Sequence, residues 1–202
     1  ARREDVAAPS DAQPDLRRSC VRNPAIPLGV VQVWRVSVPD APINELAAVL
    51  SSEERDRAAR FVFDRDRNQF IVVRGWLRKL LGRYLDRQPG EIRFAFGPQG
   101  KPMLAGSDSD LCFNVSHSAE TGVLAFCRGR EIGVDVERLE RRVDTAALAR
   151  SCFSSTELES FQSLADNEQL ARCGQRGFAK EAYIKALGGG LSIPLKDFTV
   201  DV

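Results

Sequence analysis

Three short apolar runs in close succession constrain this chain more than any other feature. Leu111-Cys112-Phe113-Asn114-Val115 ends in Ser116-His117-Ser118, Thr121 to Cys127 follows at once, and a third run carries Gly133-Val134-Asp135-Val136-Glu137. Apolar and β-branched runs bounded by polar turns read as strands. His117, the single histidine of the chain, falls in the polar cap of the first. On the third, valine alternates with acid, so Asp135 and Glu137 leave one face with their α-carbons ~6.6–7 Å apart. Ile132, Val134 and Val136 occupy the other face.

The rest of the chain supplies helices around such strands. Residues 1–28 are rich in Ala, Pro, Asp and Arg without periodicity and read as a disordered leader. Val31, Val33 and Val36 suggest a strand within Gly29 to Val38, broken by Pro39 and Pro42. Ser51-Ser52-Glu53-Glu54 is a capping box that opens one helix, and Asp64 is placed to cap a longer one reaching about Tyr84. In that helix Phe70, Val73, Leu77, Leu80 and Tyr84 share an apolar face. Ile92 to Phe96 reads as a strand and Gly97-Pro98-Gln99-Gly100-Lys101-Pro102 as a turn. Ser154-Ser155-Thr156-Glu157 repeats the capping box, helix resumes from about Asn167 to Leu187, and Gly188-Gly189-Gly190 stops it. Phe198 to Val202 suggests a further strand, cut off at its start. The predicted class is α+β in two similar halves, 29–118 and 119–202, with the second expected to be truncated.

Composition excludes several function classes. The charge is nearly balanced, 29 basic residues against 28 acidic, which argues against a nucleic-acid protein relying on bulk electrostatics. No apolar run approaches the ~20 residues needed to cross a bilayer. Five cysteines without a C-x-x-C spacing read as reduced thiols of a cytoplasmic protein. Only five lysines occur, and two of them frame Lys180-Glu181-Ala182-Tyr183-Ile184-Lys185.

Each chemical signal has an ordinary explanation beside the functional one. Asp135 and Glu137 could be the solvated face of an edge strand, or two oxygen ligands for a hard cation such as Mg²⁺. His117 between two serines could be a hydrogen-bonded structural residue or part of a phosphate cradle. Glu181 and Lys185, four apart, form a pair that stabilises a helix by ~0.2–0.5 kcal/mol. Lys101 could be a solvated turn lysine. It is the ordered set that singles the chain out.

That set, Gly100-Lys101-Pro102, Phe113-Asn114-Val115-Ser116-His117-Ser118, Gly133-Val134-Asp135-Val136-Glu137 and Lys180-Glu181-Ala182-Tyr183-Ile184-Lys185, resembles the signature of the 4′-phosphopantetheinyl transferase superfamily, in its single-chain, pseudo-duplicated branch. The resemblance implies a monomer of pseudo-dimeric fold. It would move the phosphopantetheine arm of coenzyme A onto a serine of an acyl or peptidyl carrier protein, releasing 3′,5′-ADP. It further implies that Asp135, Glu137 and Glu181 hold Mg²⁺. Lys101, Ser116 and His117 would grip the nucleotide, Lys185 the pyrophosphate, and Arg57 and Arg74 would add basic nucleotide contacts. Glu181 would take the serine proton, directly or through a metal-bound water. One departure stands out: where relatives carry tryptophan three residues before the motif lysine, this chain has Gly177. A catalytically silent homologue that binds coenzyme A or a carrier protein is the alternative reading, and an unrelated Mg²⁺-dependent phosphohydrolase a third.

Overall fold

The computed structural model describes residues 25–106, 110–138, 144–188 and 193–201. The leader expectation, up to residue 24, therefore lies outside the described residues, as do Gly189 and Gly190. Among the described residues, strand β1 (Gln32–Ser37) leads into helices α1 (Ile43–Ala48), α2 (Ser52–Ala59) and α3 (Asp64–Leu85). The hairpin β2 (Phe94–Phe96) and β3 (Pro102–Leu104) and the hairpin β4 (Leu111–Ser118) and β5 (Thr121–Arg128) follow, and helices α4 (Thr145–Cys152), α5 (Ser155–Gln162) and α6 (Asp166–Leu187) come last. The class is α+β, as predicted.

The main sheet runs β1-β5-β4, antiparallel throughout. Its register sorts side chains onto two faces. Phe113 opposes Phe126, Val115 opposes Leu124 and His117 opposes Gly122, and this face meets α3 in one core that includes Val36, Val73, Leu77, Leu80 and Tyr84. On the other face Cys112 opposes Cys127 and Asn114 opposes Ala125, covered by Ile132 and Val134. The sheet is thus enclosed on both sides, which explains why β5 reads as a nearly continuous apolar run.

Several expectations hold and some need correction. Both capping boxes form as read: Ser51 and Glu54 start α2, Ser154 and Glu157 start α5. The long helix predicted to about Tyr84 ends at Leu85, but Asp64 is its first residue and Phe63 its N-cap. The third run is extended without belonging to a ladder, because β4 side chains take amides that a partner strand would otherwise use (below). Phe198 to Asp201 forms no strand; a 3₁₀ turn, Leu195–Asp197, precedes it, and its groups bond to α5 and α6 instead. Helix α4 was not foreseen. It carries few large apolar residues and is capped by Asp144, whose Oδ1 accepts from the Ala147 N–H at 2.9 Å.

Candidate active site

The site grows from alternation along β4. Asn114, Ser116 and Ser118 point to one face and meet the run that follows β5 rung by rung. Asn114 Oδ1 accepts from the Val134 N–H at 3.1 Å, Ser116 Oγ from the Val136 N–H at 3.3 Å, and Ser118 Oγ from the Arg138 N–H at 3.2 Å. Period two on the strand matches period two on the segment. The serines also donate: Ser116 Oγ to Asp135 Oδ1 at 2.9 Å and Ser118 Oγ to Glu137 Oε2 at 2.7 Å. Three short polar side chains thereby fix a backbone and orient two carboxylates.

Helix α6 closes the other side. A Cβ on Gly133 would lie 1.8 Å from the Ala182 carbonyl oxygen and 2.6 Å from the Ala186 nitrogen. The segment and the helix therefore touch backbone to backbone, and only glycine fits. This crossing brings Lys185 to Asp135: Lys185 Nζ donates to Asp135 Oδ1 at 2.5 Å and to Ser116 Oγ at 3.0 Å. Asp135 is almost fully buried there, while Lys185 is a third exposed. Glu181, one turn earlier, faces the same group. Burial first, then the Asp135 charge and more weakly Glu137, push its carboxyl above the ordinary range, and Lys185 pulls the other way.

Asp135, Glu137, Glu181 and Lys185 stand at one end of a cavity of about 450 Å³ whose remaining wall is largely apolar, with Leu148, Leu170 and Phe178 among its lining. Gly177 lines it too and has no neighbour within 4 Å of a would-be Cβ. The cavity reaches its present size because that position has no side chain.

Other predicted residues gather elsewhere. Arg57, Arg74 and His117 line a second hollow of about 180 Å³ on the α3 face of β4. There the Arg57 and Arg74 guanidinium groups stack over the Phe70 ring, 5.1 and 5.9 Å from its centre. Arg74 Nη1 is buried without a hydrogen-bond partner among the described residues. Burial weighs against the Arg74 charge, Glu54 supports it, and Arg57 and Arg78 repel it. An anion would relieve this crowding. Burial and the Lys185 charge both hold His117 below the usual imidazole range. Ser116 and His117 are adjacent on β4 and point to opposite faces, so the strand lines the smaller hollow through His117 and orients Asp135 of the larger cavity through Ser116. Lys101 lines neither: its Nζ donates to Glu131 Oε2 at 2.6 Å and to the Ala186 carbonyl at 2.8 Å, at the C-terminal end of α6.

No three His, Cys, Asp or Glu side chains among the described residues are grouped as they stand to hold a metal ion. The chemistry of the donor set nonetheless suits a hard divalent cation: three carboxylates line one cavity, and burial, then the neighbouring Asp135 charge, raises Glu181. Hydrogen bonds among the described residues use Oδ1 of Asp135 and Oε2 of Glu137.

Comparison with known proteins bears on this arrangement. Residues 33–128 match the family described as 4′-phosphopantetheinyl transferase, N-terminal, and residues 131–202 the 4′-phosphopantetheinyl transferase superfamily. The chain is 39% identical over 166 residues to the 4′-phosphopantetheinyl transferase HetI of Nostoc sp., an alignment covering 80% of this chain and 70% of that protein. The chain belongs to the 4′-phosphopantetheinyl transferase superfamily. Among further members of the superfamily, a putative 4′-phosphopantetheinyl transferase of Synechocystis sp. is 35% identical over 162 residues, 80% of this chain and 66% of its own length. The 4′-phosphopantetheinyl transferase gsp of Aneurinibacillus migulanus is 32% identical over 176 residues, 85% and 72% respectively. The chain thus spans about two thirds of the length of these transferases. Its two superfamily matches meet at Gly129-Arg130, between β5 and the segment that carries Asp135.

Sequence reasoning missed Asn114 and Ser118 as supports of that segment, and Gly133 as the contact point for α6. The signal for the first was available. Polar residues at every second position of an otherwise apolar strand, followed by an acid alternating at the same period, describe two extended chains held face to face.

Proposed function

We propose that this chain transfers the 4′-phosphopantetheine arm of coenzyme A onto a serine hydroxyl of an apo acyl or peptidyl carrier protein and releases 3′,5′-ADP, with Mg²⁺ as cofactor. The observation that carries the reading is the convergence of Asp135, Glu137, Glu181 and Lys185 at one cavity end, next to a basic hollow holding an unpartnered buried guanidinium nitrogen. A diphosphate at the first and a phosphorylated nucleoside at the second would use both. The apolar remainder of the large cavity suits the uncharged arm.

In this reading the carrier serine Oγ attacks the β-phosphorus. A bond forms from Oγ to phosphorus, and the bond from phosphorus to the oxygen bridging the α-phosphate breaks, leaving 3′,5′-ADP. Glu181 takes the serine proton, directly or through a water; its raised pKa makes it a stronger base than an ordinary glutamate. Lys185 neutralises charge on the diphosphate. Asp135, Glu137 and Glu181 would hold Mg²⁺, and the ion, when bound, supplies further charge neutralisation on the phosphoryl oxygens. Arg57, Arg74 and His117 bind the nucleotide, and Ser116 orients Asp135. Lys101, held by Glu131 and the Ala186 carbonyl, keeps one ammonium proton for a nucleotide phosphate. We also infer that the two halves are duplicates forming a pseudo-dimer. An 8-residue capping-box helix followed by a 22-residue helix occurs in each, as α2–α3 and α5–α6.

Mass spectrometry of an apo carrier protein incubated with the chain, coenzyme A and Mg²⁺ tests the reading. Transfer adds the mass of the arm to a serine. Binding of coenzyme A without that gain would support a silent binder, and free phosphopantetheine without a carrier would support a phosphohydrolase.

A further inference from the structure

The motif lysine next to Glu181 has no part in the chemistry above. Lys180 is wholly buried, 0% exposed. Its ammonium donates to Glu157 Oε2 at 2.5 Å and to the carbonyls of Leu195 and Phe198, both at 2.6 Å. An ammonium has three protons, so these three partners leave none for a phosphate. The Phe198 ring stands 4.8 Å from the same nitrogen. Glu157 is equally committed: Oε2 also accepts from the Ser154 N–H and Oε1 from the Val200 N–H, each at 2.8 Å. One ion pair therefore joins the start of α5, the middle of α6 and the chain from Leu195 to Val200.

The same device stands in the first half. Arg78, 2% exposed, donates to Glu54 Oε2 at 2.5 Å and to the carbonyls of Pro89 and Ile92 at 2.8 and 3.1 Å. Its guanidinium lies 5.2 Å from the centre of the Phe94 ring. Counted from Asp64 and Asp166, Arg78 and Lys180 are each the fifteenth residue of a 22-residue helix. Glu54 and Glu157 each close a capping box, and each pair of carbonyls flanks or enters a 3₁₀ turn, Pro89–Glu91 and Leu195–Asp197. A cation, a capping glutamate, two carbonyls and an aromatic ring thus occur together twice. Among the described residues of the first half, that set accompanies no cavity lined by several carboxylates like the second half's site.

We infer that Lys180 is a positioning residue, the counterpart of Arg78, whose clamp with Glu157 fixes the rotation of α6 and so delivers Glu181 and Lys185 to Asp135. The inference deepens the proposed transfer reaction and rests on it for the activity readout alone. Residues 180, 181 and 185 divide the work: Lys180 leaves the helix towards α5, while Glu181 and Lys185 line the cavity.

The test compares Lys180→Met, Glu157→Gln and the double variant with the parent chain, in thermal melts, kinetics and titrations with 3′,5′-ADP. Each single change leaves a buried polar group without its partner and lowers Tm; the double change restores part of that loss, because coupled partners are not additive. At a temperature where every variant is folded, Lys180→Met and Glu157→Gln lower kcat alike, by about 10²-fold if α6 turns by an ångström, while 3′,5′-ADP affinity stays within about twofold of the parent, a change under 0.5 kcal/mol. Should Lys180→Met fail to fold, the double variant and Lys180→Arg carry the comparison. The inference is overturned if Lys180→Met weakens coenzyme A binding tenfold with Tm unchanged, or if Tm losses at 157 and 180 simply add. A parent without transferase activity would refute the proposed reaction, yet the melts would still decide whether the clamp exists.

Discussion

Glu181 is where the structural and chemical readings of one residue diverge most. As an exposed helix partner of Lys185 it would contribute a few tenths of a kcal/mol and nothing to turnover. In the structure it sits at a cavity end with a raised pKa, so Glu181→Gln should cut turnover by at least ~10²-fold, the lower range of acid–base catalysis. The sign for stability follows from the same shift. A carboxyl whose folded pKa is raised binds its proton more tightly in the folded state, so its contribution is lost as pH rises from the ordinary glutamate value through the raised one. Glu181→Gln should therefore melt no lower than the parent at neutral pH. Carboxyl NMR titration of the metal-free protein should place Glu181 above an ordinary glutamate, and Asp135→Asn should bring it down. A titration at the usual value in the parent would remove the basis for Glu181 as base.

At the scale of elements, the contact between Gly133 and α6 sets how far apart the carboxylates and Lys185 stand. Gly133→Ala places a methyl 1.8 Å from a helix carbonyl, so α6 must move. A turnover loss of about 10²-fold is expected, with 3′,5′-ADP binding retained in calorimetry, because Arg57, Arg74 and His117 lie on the other face of β4. Gly177→Leu should do the reverse. A leucine in mid-helix gains up to about 1 kcal/mol over glycine in propensity and meets open space, so Tm rises. It also fills the cavity, so affinity for coenzyme A falls while affinity for 3′,5′-ADP does not. Equal loss for both ligands would show that the arm lies elsewhere.

These elements were unevenly legible in the sequence. Capping boxes were readable because the pattern Ser-x-x-Glu and its hydrogen bonds are local. Helix α6 was readable from its motif, but not which way Lys180 pointed, since its partners Glu157, Leu195 and Phe198 are 15 or more residues away. The run from Gly133 to Glu137 read as a strand because its alternation is that of a strand; among the described residues its amides meet side chains of β4 and no strand pairs with it through backbone.

Over the whole molecule, β4 separates the two hollows, and the basic one offers an independent test. Arg74→Met should weaken coenzyme A and 3′,5′-ADP by similar factors, leave kcat at saturation nearly intact, and reduce the salt dependence of binding, as expected for a nucleotide contact remote from the reacting phosphorus. A selective loss of kcat would move Arg74 into the chemistry. The three rungs between β4 and the Asp135 segment have a consequence of another kind. Main-chain hydrogen bonds between paired strands survive almost any substitution, because every residue but proline carries the groups that make them. Rungs made by Asn114, Ser116 and Ser118 exist only while short side chains with an acceptor oxygen stand at those three positions. Selection can therefore loosen or tighten the floor beneath Asp135 and Glu137 one point mutation at a time, without altering the sheet that bears it.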